Sequence, residues 1–442
     1  MNQRINRRGF LRKTALTGAG FWIADHNIFA KGRSPNEKLN IGIVGVAGRG
    51  GGNLGAVTGE NIVALCDVDE RKLTAAAQQF PKAKTHHDWR RMLDDQKDLD
   101  AVVCSTTEHT HALVIVAALR RDLHVYCEKP IAHTPEEARL VRQEYLKRKD
   151  KVATQQGTQI HAGENFRRVV ELIRAGAIGP VREVHNWCNR VPLGPRERPP
   201  ESHPVPPHLH WDLWLGPAPE RRYHPTYFTG GCLWWDKWWD FGNGTIGGMG
   251  PHIIDLACWA LDLQMATTVE ADSNPKGGYP EVYPEWLQIR WEYPAEGDRP
   301  PVTVWWHDGV KTPKSPPDVD LEKWGGLGML FIGEKGQLLA DYGRHMLLPK
   351  KQYEGFQPPP KTIPPSSGHH AEWIKAAKEG GSTPCNFDYG GKMTENILAG
   401  IVSCRVQQKL EWDARNGKAA NCPAANRFIR KKYRQGWDIR SV

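Results

Sequence analysis

The sequence lacks an apolar run long enough to span a membrane, and its cysteines lack the spacing of a metal site. Nine cysteines are scattered through 442 residues, and no two of them form a C-x-x-C pair. An odd, scattered set of this kind is not a zinc site and does not make a disulfide framework. We therefore expect no metal and no stable insertion into a membrane.

A basic stripe that could follow a nucleic-acid backbone is also missing, although the net charge is +9. Residues 1–30 carry a net charge of +4 and residues 427–442 carry +5, so the intervening chain is neutral. We expect no nucleic-acid partner. The hydrophobic and charged shares, 39% and 25%, are ordinary for a globular chain of two or three domains.

The first residues have the pattern of an export signal. Two arginines, Arg7 and Arg8, precede Phe10 and Leu11, and a short, weakly apolar stretch follows. This order is typical of twin-arginine signals. We predict a signal peptide and linker at residues 1–33, with export to the periplasm or beyond. A basic disordered tail is the alternative.

A glycine-rich turn follows a β-branched apolar run at residues 39–44, and a helical pattern follows the turn. Strand, glycine turn and helix start make up the context of a dinucleotide fingerprint, in which backbone N–H groups meet a pyrophosphate. Alanine stands at the position of the middle glycine. The residues predicted to contact the cofactor here are Gly45, Ala47, Gly48, Arg49 and Gly50.

An acidic residue ends the next apolar strand. Asp67 follows Gly45 by 22 positions, where a carboxylate should accept hydrogen bonds from the adenosine ribose. Because a carboxylate repels a 2′-phosphate, the sequence favours NAD over NADP. Because Arg71 is close by in the sequence, NADP remains the less favoured alternative.

Strand and helix patterns then alternate, with a strand predicted at 101–104 and a helix at 111–120. Repeated βα units of this length indicate a doubly wound parallel sheet. We predict a Rossmann-like NAD-binding domain at residues 38–156. Strands broken by proline and glycine follow, so we predict a substrate-binding α/β domain at 157–442 with a large, mostly antiparallel open sheet.

Several motifs together resemble one known family. They are the glycine turn, Asp67, residues 104–111, Glu128-Lys129-Pro130 after an apolar strand, residues 211–217, residues 250–255 and residues 409–413. In these the chain resembles the Gfo/Idh/MocA family of glucose–fructose oxidoreductases and inositol dehydrogenases, most closely its exported bacterial branch.

The resemblance implies a role for particular residues. Lys129 would lie between the nicotinamide ribose and the substrate hydroxyl, and His252 would be the catalytic acid or base. A histidine suits proton transfer because its ordinary pKa is near working pH. The residues implied at the cofactor are Glu128, Lys129, Thr106, Thr107 and His111.

One position departs from the family pattern. Members commonly carry Asp-x-x-x-His, and here Gly248 stands where the aspartate is expected, four residues before His252. This puts the usual Lys–Asp–His set in doubt. We expect Asp240 or Asp255 to take over part of the role of the missing aspartate.

Aromatic residues crowd into residues 211–240, with six tryptophans among them. Rings with polar neighbours make platforms for a pyranose, whose faces stack and whose hydroxyls bond to the edges. Packing in a core or an interface is the alternative for any single ring. The predicted substrate contacts are Trp234, Trp238, Lys237, Asp240 and Asp255.

Three functions remain open at this stage. The first is oxidation of a ring hydroxyl of a sugar, glycoside or polyol by a homo-oligomeric enzyme with tightly bound NAD. The second is glycoside cleavage or elimination through transient oxidation, a recognised exception to two-carboxylate hydrolysis. The third is a non-catalytic sugar-binding protein, which Gly248 would favour. Formation of NADH on addition of sugar separates the first from the other two.

Overall fold

Two sheets organise the chain in the computed structural model, which describes residues 37–316 and 318–442. The predicted export signal at residues 1–33 lies outside the described residues. Within the described ranges, no helix has both the length and the apolar character needed to cross a bilayer.

The first sheet is parallel throughout and has the strand order β3-β2-β1-β4-β5-β6. Its strands are β1 (Asn40–Val44), β2 (Asn61–Cys66), β3 (Lys84–His86), β4 (Ala101–Cys104), β5 (His124–Cys127) and β6 (Thr154–Gln156). The connecting helices are α1 (Arg49–Ala56), α2 (Glu70–Gln79), α3 (Trp89–Asp95), α4 (Glu108–Leu119) and α5 (Pro135–Leu146). This is the predicted doubly wound sheet.

Helix α4 lies at the centre of this half. All twelve of its residues are buried, because the stretch from Ala112 to Leu119 is apolar on every side. The helix begins at Glu108, three residues before the start that the apolar pattern predicts. Its polar first turn therefore lies beside the carboxyl ends of β1, β4 and β5, where ligands bind in sheets of this type.

The second sheet has nine strands in the order β13-β12-β11-β7-β10-β9-β8-β14-β15. Only β7 and β10 pair in parallel, and the other pairs are antiparallel. The strands are β7 (Val181–Cys188), β8 (Thr268–Asn274), β9 (Trp286–Tyr293), β10 (Val302–Asp308), β11 (Leu327–Gly333), β12 (Gln337–Ala340), β13 (His345–Leu348), β14 (Leu410–Asp413) and β15 (Lys418–Ala419). The predicted α/β fold class, with one parallel and one mostly antiparallel sheet, is confirmed.

Burial alternates along the second sheet. In β9, Leu287, Ile289, Trp291 and Tyr293 are buried while the residues between them are partly exposed. Three helices contribute to the core under the buried face: α6 (Glu164–Arg174), α10 (Gly244–Leu261) and α13 (Phe387–Val406). The remaining helices are α7 (Trp211–Leu215), α8 (Pro225–Phe228), α9 (Cys232–Trp235), α11 (Leu321–Trp324), α12 (His369–Glu379) and α14 (Asn426–Ile429).

The tryptophan-rich segment, residues 189–243, connects β7 to α10 and carries only three short helices. Its rings form a core cluster of their own, separate from the sheet cores. The buried members are Leu209, Trp211, Trp214, Leu215, Ala218, Tyr223, Tyr227, Trp238, Phe241 and Val282. Aromatic packing, rather than a backbone ladder, therefore holds this segment in shape.

The C-terminal segment packs back onto the first half. Trp437 and Ile439 belong to the same buried cluster as β4, α4 and β5. The Arg90 guanidinium lies 3.8 Å from the centre of the Trp437 ring. Arg120 donates to the backbone carbonyls of Ile439 and Val442, at 3.3 and 2.7 Å. These contacts complete the core of the dinucleotide half with residues from far along the chain.

Candidate active site

The glycine turn after β1 is so close to its neighbours that two of its positions must be glycine. Gly45 has φ +86°, and a Cβ there would lie 2.6 Å from the carbonyl oxygen of Ser105. A Cβ on Gly50 would lie 2.1 Å from the carbonyl oxygen of Gly45. Only backbone therefore fits where the turn passes between the ends of β1 and β4.

The rest of the turn is open towards solvent. Ala47 is partly exposed, and Gly48 and Arg49 are exposed. Helix α1 begins at Arg49 without a side-chain cap and without an acidic residue in its first turn. Uncapped N–H groups at a helix start favour an anion such as a pyrophosphate.

Asp67 lies directly beside this turn. One carboxylate oxygen accepts from the backbone N–H of Val46 at 3.0 Å, and the other accepts from Asp69 at 2.9 Å. Burial raises its pKa above the ordinary value, and the backbone donors oppose that shift. Each oxygen keeps a lone pair for a ribose hydroxyl. The turn and Asp67 together fit a dinucleotide.

Glu128 ties the start of α1 to the end of β5. Its Oε1 accepts from Arg49 and Asn53, both at 3.0 Å, and from Gln159 at 2.8 Å. Burial would raise the pKa of Glu128, but Lys129 and Arg49 hold it below the ordinary value. The buried carboxylate therefore fixes the loop that carries Lys129.

The turn after β4 is fixed by His111. Its Nδ1 lies 2.7 Å from the carbonyl oxygen of Pro130, and its Nε2 lies 3.0 Å from that of Thr106. The ring is buried and both nitrogens lie close to backbone carbonyls, so His111 joins the two turns. Its place at the nicotinamide end stays a prediction. Thr106 and Thr107 are partly exposed at this edge.

Lys129 and His252 come together at α10. The Lys129 ammonium donates a short hydrogen bond to the carbonyl oxygen of Gly248, one turn before His252. Burial, reinforced by the charges of Lys129 and Arg49, holds the pKa of His252 well below its ordinary value. The lowered pKa favours the neutral imidazole, in contrast to the ordinary pKa from which the sequence argument starts. Nδ1 of His252 has no hydrogen-bond partner among the described residues.

Comparison with known proteins shows which family the chain belongs to. A model of the Gfo/Idh/MocA oxidoreductase family, described as an NAD-binding Rossmann fold, matches residues 39–156. A model of the C-terminal alpha/beta domain of the same oxidoreductase family matches residues 187–299. The two matches cover more than half of the chain. The chain belongs to the Gfo/Idh/MocA family.

Curated relatives of this Gfo/Idh/MocA protein include two kinds of enzyme. Inositol 2-dehydrogenase of Salmonella typhimurium is 29% identical over 169 residues, which are 37% of this chain and 50% of the relative. A glycosyl hydrolase family 109 protein of Solibacter usitatus is 31% identical over 202 residues, 40% of this chain and 44% of the relative. The chain thus spans about half the length of the curated relatives it matches.

Solved structures share the fold at low sequence identity. The WlbA dehydrogenase of Chromobacterium violaceum, in complex with NADH and UDP-GlcNAcA, has a TM-score of 0.59 and 17% identity and covers 86% of this chain and 97% of its own. GenD2 of gentamicin A biosynthesis, in complex with NAD, has a TM-score of 0.58 and 18% identity over 87% and 99% of the two chains. At these identities the likeness shows the fold alone.

A carboxylate from another part of this Gfo/Idh/MocA chain lies next to the position of the missing aspartate. A Cβ on Gly248 would lie 3.6 Å from Oδ2 of Asp236, which the tryptophan-rich segment brings to α10. Asp236 is 3% exposed. No spacing rule in the sequence connects residue 236 with residue 248, so only the folded chain reveals this neighbour.

The two aspartates expected to replace it lie elsewhere. Asp240 faces Arg221 at 2.8 Å and Arg198 at 3.5 Å, away from Gly248. Asp255 is fully buried and accepts from Tyr389 at 2.6 Å. Its carboxylate also lies 3.0 Å from Nδ1 of His161. Neither carboxylate lies within 4 Å of the Cβ position on Gly248, and each is engaged by partners that the sequence pattern does not relate to it.

The predicted sugar platform is largely a core. Trp238 is 1% exposed and packs edge-on against Tyr227, with ring centres 4.9 Å apart. Lys237 is fully buried, and its ammonium donates to the carbonyl oxygen of Leu193. Burial lowers its pKa to about 8. Of the two tryptophans predicted to contact the substrate, Trp234 is partly exposed and Trp238 is buried.

Proposed function

We propose that this Gfo/Idh/MocA protein is an NAD-dependent oxidoreductase that acts on a ring hydroxyl of a sugar, glycoside or polyol. The observation that carries the proposal is the meeting of Lys129, from the dinucleotide half, with the helix turn that bears His252. This meeting lies at the carboxyl edge of the parallel sheet, beside the glycine turn. The inositol dehydrogenases among the relatives support a polyol or sugar substrate.

The residues of the site fit the separate roles that such a reaction requires. NAD, when bound, accepts the hydride. The open part of the glycine turn, Ala47, Gly48 and Arg49, would hold its pyrophosphate. Asp67 would hold its ribose, and Glu128 keeps Lys129 in place. Lys129 is partly exposed at this edge and would bind the reacting hydroxyl oxygen. Neutral His252, with a free Nδ1, would orient that hydroxyl or accept a bond from it.

A second candidate is glycoside cleavage by transient oxidation. The family 109 glycosyl hydrolase relative favours it, and so does the predicted export signal. No NAD pool is expected outside the inner membrane, so an exported enzyme needs its hydride returned in every cycle. We propose export by the twin-arginine route with NAD bound tightly in place. We also propose that the protein is a homo-oligomer.

The experiment begins with protein purified from the exported fraction without added nucleotide. Denaturation should release NAD or NADH at about one per chain. The intact protein is then incubated with sugars, polyols and glycosides, and NADH absorbance and products are followed together. NADH accumulation supports net oxidation, and cleaved glycoside without NADH supports the transient route. Empty protein without redox chemistry on any substrate would contradict both, and would leave the sugar-binding alternative.

A further inference from the structure

Two carboxyl groups occupy the space that two glycines leave open at the start of α10. Oδ2 of Asp236 lies 3.6 Å from the position of a Cβ on Gly248. Oε2 of Glu108, in the first turn of α4, lies 2.9 Å from the position of a Cβ on Gly247. A larger residue at either glycine would meet one of these carboxyl groups.

We infer, on the basis of the proposed function, that Asp236 replaces the aspartate missing at Gly248 and accepts the proton that leaves the reacting hydroxyl through Lys129. Glu108 is the second carboxyl of the pair. Lys129 and Asp236 converge on the same residue, because the Lys129 ammonium bonds to the Gly248 carbonyl oxygen.

Backbone contacts fix the position of Asp236. Its carbonyl oxygen accepts from the N–H of Gly244 at 2.7 Å, and its own N–H donates to Cys232 at 3.0 Å. A Cβ on Gly242 would lie 2.5 Å from the Asp236 Cα. This turn therefore directs the Asp236 side chain towards α10.

One oxygen of Asp236 has no partner within the described part of the chain. This oxygen, Oδ1, is buried and accepts no hydrogen bond. An unpartnered buried oxygen destabilises the fold and calls for an explanation. Glu108, by contrast, accepts from the N–H and the side-chain amide of Asn243 at 3.0 and 3.1 Å. The free oxygen is explained if substrate or Lys129 bonds to it during turnover.

The surroundings of Asp236 and Glu108 bring the pKa of each carboxyl group close to neutral pH. Burial raises the pKa of Asp236 to about 7, against the opposing charges of Lys129, Arg190 and Lys237. Burial and the neighbouring Asp236 charge raise the pKa of Glu108 to about 8, against Asn243 and Lys129. The Cys232 thiol faces the same group, and burial raises its pKa.

The carboxyl pair is therefore better matched to working pH than His252. At neutral pH Glu108 keeps its proton, so Asp236 can ionise beside it without a second negative charge. A proton acceptor works best when its pKa lies near the operating pH. The pKa of His252 lies well below that range.

The proposed step moves one proton and no electrons. The O–H bond of the substrate breaks, and its proton goes to Nζ of Lys129 as Lys129 passes one of its own protons to Asp236. The Asp236 carboxylate becomes a carboxylic acid, and the lysine is unchanged. The hydride leaves separately, in the proposed oxidation of the ring hydroxyl.

Moving the carboxylate between the two positions tests this inference. Asp236→Asn should lower kcat by about 100-fold with little change in KM, because the proton acceptor is lost. Gly248→Asp alone should also lower kcat, since the new side chain meets Asp236. The double variant D236A/G248D should recover at least about tenfold over D236A. Asp212→Asn, an exposed carboxylate in the same segment, should match the wild type.

A second readout does not need activity. A carboxyl group whose folded pKa is raised destabilises the fold as pH rises from its unfolded pKa, about 4, through its folded pKa. Asp236 should therefore contribute a fall in Tm between pH 5 and 8, and Asp236→Asn should remove that contribution. At pH 8 the variant should melt roughly 2 °C higher than the wild type.

The outcomes separate this inference from the proposed function. If D236N keeps kcat within about threefold while Lys129→Ala is inactive, or if the double variant shows no recovery, the inference is wrong and the function stands. If the wild type shows no redox chemistry, the proposed function fails, and the proton transfer to Asp236 fails with it. Independently of activity, a pH dependence of Tm that is unchanged in D236N would overturn the inference, because Asp236 would then not titrate near neutral pH.

Discussion

The dinucleotide half and the tryptophan-rich segment hold their functional side chains by different means. In the first, strand ends and backbone hydrogen bonds fix each residue, as with Asp67 on the N–H of Val46 at 3.0 Å. In the second, residues 189–243 have no strand; packed rings such as Trp211 on Trp214, 4.7 Å apart, form the core, and local turns on that core carry the side chains. Asp236 reaches the site from this second kind of framework.

The difference has a consequence for how each region tolerates change. A parallel sheet edge keeps its geometry when one loop residue is replaced, because the strands on either side still define it. A segment held by ring packing depends on the rings themselves, and cavities in such a core are costly. Substitutions of strand-end residues in the first region should therefore reduce activity, and substitutions of the packed rings in the second should reduce stability.

The largest effect should come from the dinucleotide half. Lys129→Ala should reduce turnover by about a thousandfold, ~4 kcal/mol of barrier, because the hydroxyl loses its donor. Folding and NAD content should be close to those of the wild type, since Glu128 and the glycine turn are untouched. Steady-state kinetics with measurement of released nucleotide provide the check. A loss below about tenfold would contradict the role of Lys129.

The next effect should be structural and lie in the tryptophan-rich segment. Trp238→Ala should lower the free energy of unfolding by about 3–5 kcal/mol, because the ring is 1% exposed within an aromatic core. Trp234→Ala removes a partly exposed ring and should cost much less stability, with its main effect on KM. Denaturant titration of both variants tests the contrast. Equal losses of stability would show that both rings belong to the core.

The smallest effect should be a change of cofactor preference. Asp67→Ala should weaken NAD binding by about 10- to 100-fold, because charged hydrogen bonds to the ribose are lost, and should narrow the advantage over NADP. Arg71→Ala should leave the affinity for NAD unchanged, since Arg71 is engaged with Asp69 at 2.9 Å. Nucleotide titration of emptied protein measures both. If the NAD/NADP ratio stays unchanged in Asp67→Ala, the ribose is held elsewhere.

Residues that stand at strand ends could be predicted from the sequence. Gly45, Asp67 and Lys129 each follow an apolar strand, and parallel strands bring their carboxyl ends to one edge. The fold class could be predicted for the same reason, since periodicity reports strands and helices directly. The start of α4 was missed because its polar first turn, from Glu108, interrupts the apolar pattern.

The partner of Gly248 could not be predicted from spacing. Asp236 and Gly248 meet only after the tryptophan-rich segment has folded, and its short helices carry no periodic pattern. Tryptophans between charged residues were interpreted as a sugar platform, although most of these rings bury one another. The charged residues among them point in different directions: Asp236 to α10, Lys237 to a backbone carbonyl and Asp240 to two arginines.

The packing of Trp437 and Ile439 on the dinucleotide half bears on the timing of synthesis. These residues leave the ribosome about 280 positions after β6, which takes roughly 15 to 60 s at about 5–20 residues per second. Until then the helices that they cover present an apolar face to the cytosol. We expect the nascent chain to need a chaperone over this interval, and NAD to bind firmly only after release. The half of the protein that is made first thus completes its core last.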